Sequence, residues 1–236
     1  MRLLAKPFLT TESFEHIIPR WKQDLMNVKN NRSSGSHRWS LSDRIPVETI
    51  ISNGEYESGS RRGELNVYGT LCAVWDIKAE RQRNNRSKPA EAFILDGIAS
   101  TKIQIWHKVE NHDPLEIARW TLEIGDQHSP GCHFHTQIDL EPEDHKFPEA
   151  LSVPRFPAYL HTPMDAMDYL LGELFQDSWY RRTSAGNDQV NMWNGCQKMR
   201  LVRMLAWHQK CFEEAGGSPW STFKRAKPSM NLLFDH

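Results

Sequence analysis

Residues 64–80, ELNVYGTLCAVWDIKAE, carry Leu65, Val67, Leu71, Ala73, Trp75 and Ile77 on alternate positions. A period of two marks a strand with one side on a core, because successive side chains of an extended chain point to opposite faces. The same period returns in residues 90–109, AEAFILDGIASTKIQIWHKV, where Ile103, Ile105 and Val109 share a side and Gly97 marks a bulge. It returns again in EIARWTLEIG (116–125), which aligns Trp120, Leu122 and Ile124, and in CHFHTQIDLE (132–141). The links are short and none has a helical period. The expectation is an antiparallel meander of at least four strands over about residues 64–141.

Outside this region the period changes. In residues 10–28, TTESFEHIIPRWKQDLMNV, a Thr/Ser cap signal precedes Phe14, Ile17, Ile18, Trp21 and Leu25 at helical spacing, with Pro19 as a kink or a start. Residues 29–44 read as a polar loop, and IPVETIIS (45–52) as a short strand. Downstream, Thr162-Pro163-Met164-Asp165 has a cap, a proline in the first turn and an acid three residues on. Met167, Leu170, Leu171, Leu174 and Phe175 then form an apolar stripe. Residues 189–214 read as one long helix of about 39 Å at 1.5 Å per residue. The fold class is therefore α+β: one domain over 1–236, with helices on one face of the sheet, an N-terminal helix over 10–28 and a helical part over about 162–215.

Bulk composition narrows the function. Lys+Arg 29 against Asp+Glu 30 leaves a net charge of -1, which provides no global electrostatic grip on nucleic acid. The four cysteines, Cys72, Cys132, Cys196 and Cys211, have no CxxC spacing and suit a reducing compartment. No apolar run reaches the ~20 residues that cross a bilayer, and the N-terminal run is too short for a signal peptide. A cytoplasmic protein with no membrane partner is expected. Nine tryptophans fit a Trp-rich core, with some of them available for a partner.

The histidines of residues 130–139, PGCHFHTQID, are the chemically suggestive feature. Strand alternation puts Cys132, Phe134, Ile138 and Leu140 toward the helices, and His133, His135, Gln137 and Asp139 on the other face. Residues two apart lie about 7 Å apart on one side, close enough to act together. A metal would need further ligands, from His128, Asp139, Glu141, His145 or His161. The HxH resembles the first metal motif of cupins, but no PxGxxH second motif follows, so metal and cofactor stay unassigned. A phosphoester-cleaving site would use His133, His135 and His161 for proton transfer and Arg155, held between Pro154 and Pro157, for anionic charge. The adjacent HT pairs lack the HxT spacing of two-histidine phosphoesterases. The plain alternative is a polar face whose histidines bond to loops or to another chain.

Two basic constellations remain. Arg81, Arg83, Arg86 and Lys88 fall at the tip of the first hairpin, where they would track a phosphate backbone or simply solubilise a loop. A helix face with Arg200, Arg203, Trp207 and Lys210 has the same two readings. Arg203 and His208 have the R-x4-H spacing of helical ribonucleases of the HEPN type. Met204 stands where those carry a polar residue, and His208 falls on a Leu201, Leu205, Phe212 stripe, so it reads as a core histidine.

The succession HFHTQ, SVPRFP and TPMDAMDYLLGELF, about residues 132–175, resembles uncharacterised bacterial proteins of defence or mobile islands. That resemblance implies a multi-protein system, and no mechanism. Three functions are carried forward: an accessory or interaction subunit of a bacterial system, antiviral in setting, with another protein chain or a second copy as partner; a phosphoesterase or nuclease-like enzyme using the histidine cluster; and a nucleic-acid-binding module.

Overall fold

The computed structural model describes residues 2–30, 35–56, 65–82, 90–124, 134–139, 155–157, 162–214, 217–218 and 221–222. The meander is present: β3 (Val67–Gln82), β4 (Ala90–His107), β5 (Leu115–Ile124) and β6 (Phe134–Asp139) follow one another, each antiparallel to the last. A short β7 (Arg155–Pro157) extends it beyond β6. Along the opposite edge of β3 lie β1 (His37–Leu41) and β2 (Val47–Glu48).

The strand β1 corrects the polar-loop expectation for residues 29–44. Only Trp39 and Leu41 are apolar enough to register there, and both are buried while their neighbours are exposed. What holds the strand is long-range. Trp39 stacks on Trp21 of α2 (Ile18–Asn30), which lies downstream of the short α1 (Arg2–Ala5), at 4.4 Å between ring centroids, and donates its indole N–H to the Trp21 carbonyl at 2.9 Å.

The N-terminal helix solves its proline problem by widening. Ser13–Ile17 is a π-helical turn in which the Ile18 N–H bonds to Ser13 O, five residues back. Pro19 has no N–H and its ring would strike the carbonyl four residues earlier, so a wider turn is where a proline fits without breaking the helix. The predicted cap is also present, with Ser13 N–H donating to Thr10 Oγ1 at 3.2 Å.

Two helices follow the sheet. The first, α3 (Pro163–Thr183), opens with a full capping box, Thr162 and Asp165 each taking the other's backbone N–H. Its predicted stripe is entirely buried, against Val67, Leu71, Ala73, Trp75 and Ile77 of β3. Strand and helix approach so closely at Gly69 that a Cβ there would sit 2.5 Å from Leu170 Cδ1. A kink at Gln176 frees backbone groups, and the segment after β2 satisfies them: Ser52 Oγ donates to Leu174 O, and Glu55 accepts from the Ser178 N–H. The second, α4 (Asp188–Glu214), is the expected long helix. Asn194 donates to Thr183 O and Gln197 to Asp168, which ties α4 to α3 on both sides of the Gln176 kink.

The predicted bulge at Gly97 is real and carries an ion pair. The register jumps from Trp75↔Ala99 to Ile77↔Leu95, leaving Asp76 opposite the bulge. Arg38 grips Asp76 with two bonds, of 2.8 and 3.1 Å, and the Ile98 N–H adds a third. Gly97 has φ 156, and a Cβ there would meet Asp76 Oδ2 at 2.9 Å, so glycine is needed on both counts. The Arg38 bonds, more than their charge, hold the Asp76 carboxyl below its ordinary range. A depressed folded pKa stabilises above the unfolded value of about 3.9, and the contribution vanishes as pH falls through the folded value. Urea titrations should therefore find Asp76→Asn less stable than the parent above pH of about 5, with the gap closing below pH of about 4. A gap that persists in acid would contradict this origin.

Candidate functional site

Cross-strand partners in a sheet share a face, so the register shows what the side away from α3 carries. Leu122 is buried in the core, and Trp120 meets Tyr169 of α3 edge to face at 6.1 Å. Positions 119, 121 and 123 consequently belong to the other side. Opposite them on β6 come Asp139, Gln137 and His135, and β7 then sets Arg155 opposite Gln137 and Pro157 opposite His135. The described backbone thus pairs positions 135, 137 and 139 with 123, 121 and 119. His133, His161, His128, His145 and Glu141 lie outside the described residues. Among the described residues no group of three His, Cys, Asp or Glu is placed to hold a metal.

The rest of that face went unnoticed in the sequence. Lys102 donates to Asp43, and Arg119 grips Glu116 with two 2.6 Å bonds while Gln104 donates to the same carboxylate. Trp106 donates its indole N–H to Thr70 Oγ1. The bond from Lys102 is the largest influence on Asp43 and holds its carboxyl low. Next to this pair Cys72 is buried, and burial first, then the Asp43 charge, pushes its thiol up to about 12. Burial and a raised pKa both keep the thiol in its neutral form, which is the poorly nucleophilic one. Lys102, Arg119 and Arg38 each have a carboxylate, so this part of the sheet presents neutralised pairs to an incoming anion.

Of the basic hairpin tip, Arg81 pairs through its backbone with Glu91, and the ladder runs to Gln82↔Ala90. Arg83, Arg86 and Lys88 lie outside the described residues. A separate cleft of about 350 Å³ opens between the N-terminal helix and β1. Its helical wall alternates Glu12, His16, Arg20 and Asp24, giving it no dominant sign.

The long helix is where structure and sequence part. His208 is buried, its Nδ1 lies 3.1 Å from Met204 O, and burial pushes its pKa down, as a core histidine requires. Its expected companions, however, are outside. Leu201, Leu205 and Phe212 are exposed, and the inward face is instead Val190, Trp193, Met204 and His208. Arg200 is tied to Gln197 and Asp165, at 2.8 and 3.5 Å. Round the helix from that face, Met192 is 72% exposed, Val202 53%, Leu205 49% and Met199 45%. At about 100° per residue Met192 and Met199 lie nearly in line, while Val202 and Leu205 wind on from them, so the four cover a broad outer arc of the helix and not a single seam. Around Gly195, on the same side, an added Cβ would meet nothing within 4 Å. These four are large apolar side chains left in contact with water.

No helix among the described residues is long and apolar enough to cross a membrane. No protein-family model matches the chain, and no curated protein or solved structure matches it either.

Proposed function

We propose that this chain is an interaction subunit of a multi-protein assembly and that α4 is its docking helix. The supporting observation is the open apolar arc of Met192, Met199, Val202 and Leu205 on a helix whose opposite face is already packed. These side chains are about half exposed or more, so each forgoes roughly half of the 1.5–3 kcal/mol that full burial contributes, which a partner would recover in part. The resemblance of residues 132–175 to proteins of bacterial defence islands supports an antiviral assembly as the setting. Purified untagged from its own host, the chain should run at a mass above that of one copy, with a defined second component or a second copy. A monomer at working concentration, with no companion, would contradict the reading.

A second reading is a phosphoesterase or nuclease-like enzyme using His133, His135, His161 and Arg155. It is favoured by one observation: the register sets position 135 directly opposite Glu123, and position 155 opposite 137 on the adjacent rung pair. A histidine beside a carboxylate, with an arginine near, is the equipment for proton transfer onto a phosphate ester. A His133→Ala, His135→Ala double variant that folds and keeps full biological activity removes it. The nucleic-acid reading through Arg81, Arg83, Arg86 and Lys88 has less support, since the cations of the neighbouring sheet face are paired with acids.

A further inference from the structure

The sheet ends at β1, which is bonded on one side to β3 and forms the edge of the strand order. Which of its backbone groups point outward follows from the ladder. Thr49 N–H donates to Gly69 O at 2.9 Å, and alternate residues of an antiparallel strand turn their backbone groups the same way. Positions 69, 71, 73, 75 and 77 of β3 therefore bond toward β2 and β1, and the β1 partners of the last three are Leu41, Trp39 and His37. Arg38 and Ser40, between them, direct N–H and C=O away from the sheet. Farther along the same edge the chain covers itself. Glu48 N–H donates to Ser13 Oγ, Glu48 O accepts from Thr10 N–H, and Ile50 N–H donates to Phe8 O. Among the described residues nothing does the same for the outward groups of Arg38 and Ser40.

The cleft of about 350 Å³ lies at this place. It touches Ser40, Leu41 and Ser42 in succession, and since alternate side chains of a strand point to opposite faces, it follows the edge of β1 and not one face. Its other wall is the N-terminal helix. There Glu12 and His16 meet at 4.0 Å, whereas Arg20 and Asp24 have no ion partner among the described residues. Ile17, Leu41 and the exposed Ile45 add apolar contact. We infer that this cleft takes an extended segment of a partner protein, which joins the sheet beside β1 as one more strand. The open edge supplies main-chain bonds, and the helical wall supplies selection. Arg20 and Asp24 are about 6 Å apart along the helix axis, and alternate residues of a strand are about 7 Å apart, so an acid and a base two residues apart in the segment match the pair. A second copy fits less well, because its own β1, HRWSL, brings no acid to Arg20. The inference concerns a different element from α4 and does not rest on the docking role proposed for that helix.

The test titrates the full chain with labelled, end-capped peptides of alternating valine, one with Glu-Val-Lys at its centre and one with Lys-Val-Glu, because a strand can enter in either direction. One of the two should bind. The better binder is then N-methylated at one or the other set of alternate amides. Methylating the set that faces β1 should weaken binding at least tenfold, and methylating the other set should leave it nearly unchanged, a pattern that side-chain contacts alone would not produce. Ser40→Pro removes an outward N–H at an edge position and spares the ladder to β3, so the urea midpoint should stay near the parent's while binding falls at least tenfold. Arg20→Glu should also weaken binding at least tenfold. Binding indifferent to which amides are methylated overturns the inference, as does failure of both peptides to bind at about 1 mM. A dimer that Ser40→Pro separates, with neither peptide bound, overturns it too and assigns the edge to a second copy.

Discussion

Replacing Trp75 with alanine is expected to lower stability by about 3–5 kcal/mol, the largest single-site effect in the molecule. Trp75 is fully buried at the centre of β3, opposite Ala99, and its indole N–H reaches Thr101 Oγ1 at 3.0 Å. Truncation removes a large apolar surface, leaves a cavity that small neighbours such as Ala73 and Ala99 cannot fill, and deprives the buried Thr101 hydroxyl of a donor. Domains are commonly stable by about 5–15 kcal/mol, so the variant should sit near its unfolding threshold. In urea its midpoint should fall with an unchanged slope. A loss below about 1 kcal/mol would mean that β3 does not lie at the centre of the core.

The second large effect is on association and should leave folding intact. Val202 and Leu205 are half exposed, so Val202→Glu, Leu205→Glu should change stability by less than about 0.5 kcal/mol. Binding to the natural partner should nevertheless fall by about 100-fold or more. Val202 lies within the exposed apolar set and Leu205 at its C-terminal end; an apolar contact of this kind contributes about 2 kcal/mol, or about thirtyfold, and each glutamate would also bury a charge against an apolar surface. Unaltered binding in the glutamate variant would place the interface elsewhere.

How much of this was legible follows from where each signal originates. The period of two over residues 64–80 and the Thr162–Asp165 capping box are local, and both were readable because neighbours in sequence carry the pattern. Strand β1 was not, since two apolar residues in a polar run acquire meaning only when Trp39 finds Trp21 across the fold. The long helix misled for a different reason. It is apolar on two sides, one through Val190, Trp193 and Met204, the other through Met192, Val202 and Leu205. Helical spacing identifies apolar stripes but cannot tell which one the rest of the chain covers. That ambiguity is itself informative: a helix apolar on both sides, with one side packed on its own fold, has a second surface to offer. Near the histidines only the strand at 132–141 was readable; its register with β5, the short strand β7 and the pairs Asp43–Lys102 and Glu116–Arg119 depend on contacts between segments distant in sequence or on side-chain geometry.

The most direct test of the docking helix is methionine footprinting with a limited dose of peroxide. Oxidation follows exposure, so in the isolated chain Met192 and Met199 should react while Met204 and Met167, both buried, stay protected as internal controls. In the assembly taken from the native host, Met192 and Met199 should become as slow as Met204. If both oxidise at the same rate in the assembly as in the isolated chain, α4 is not the docking surface.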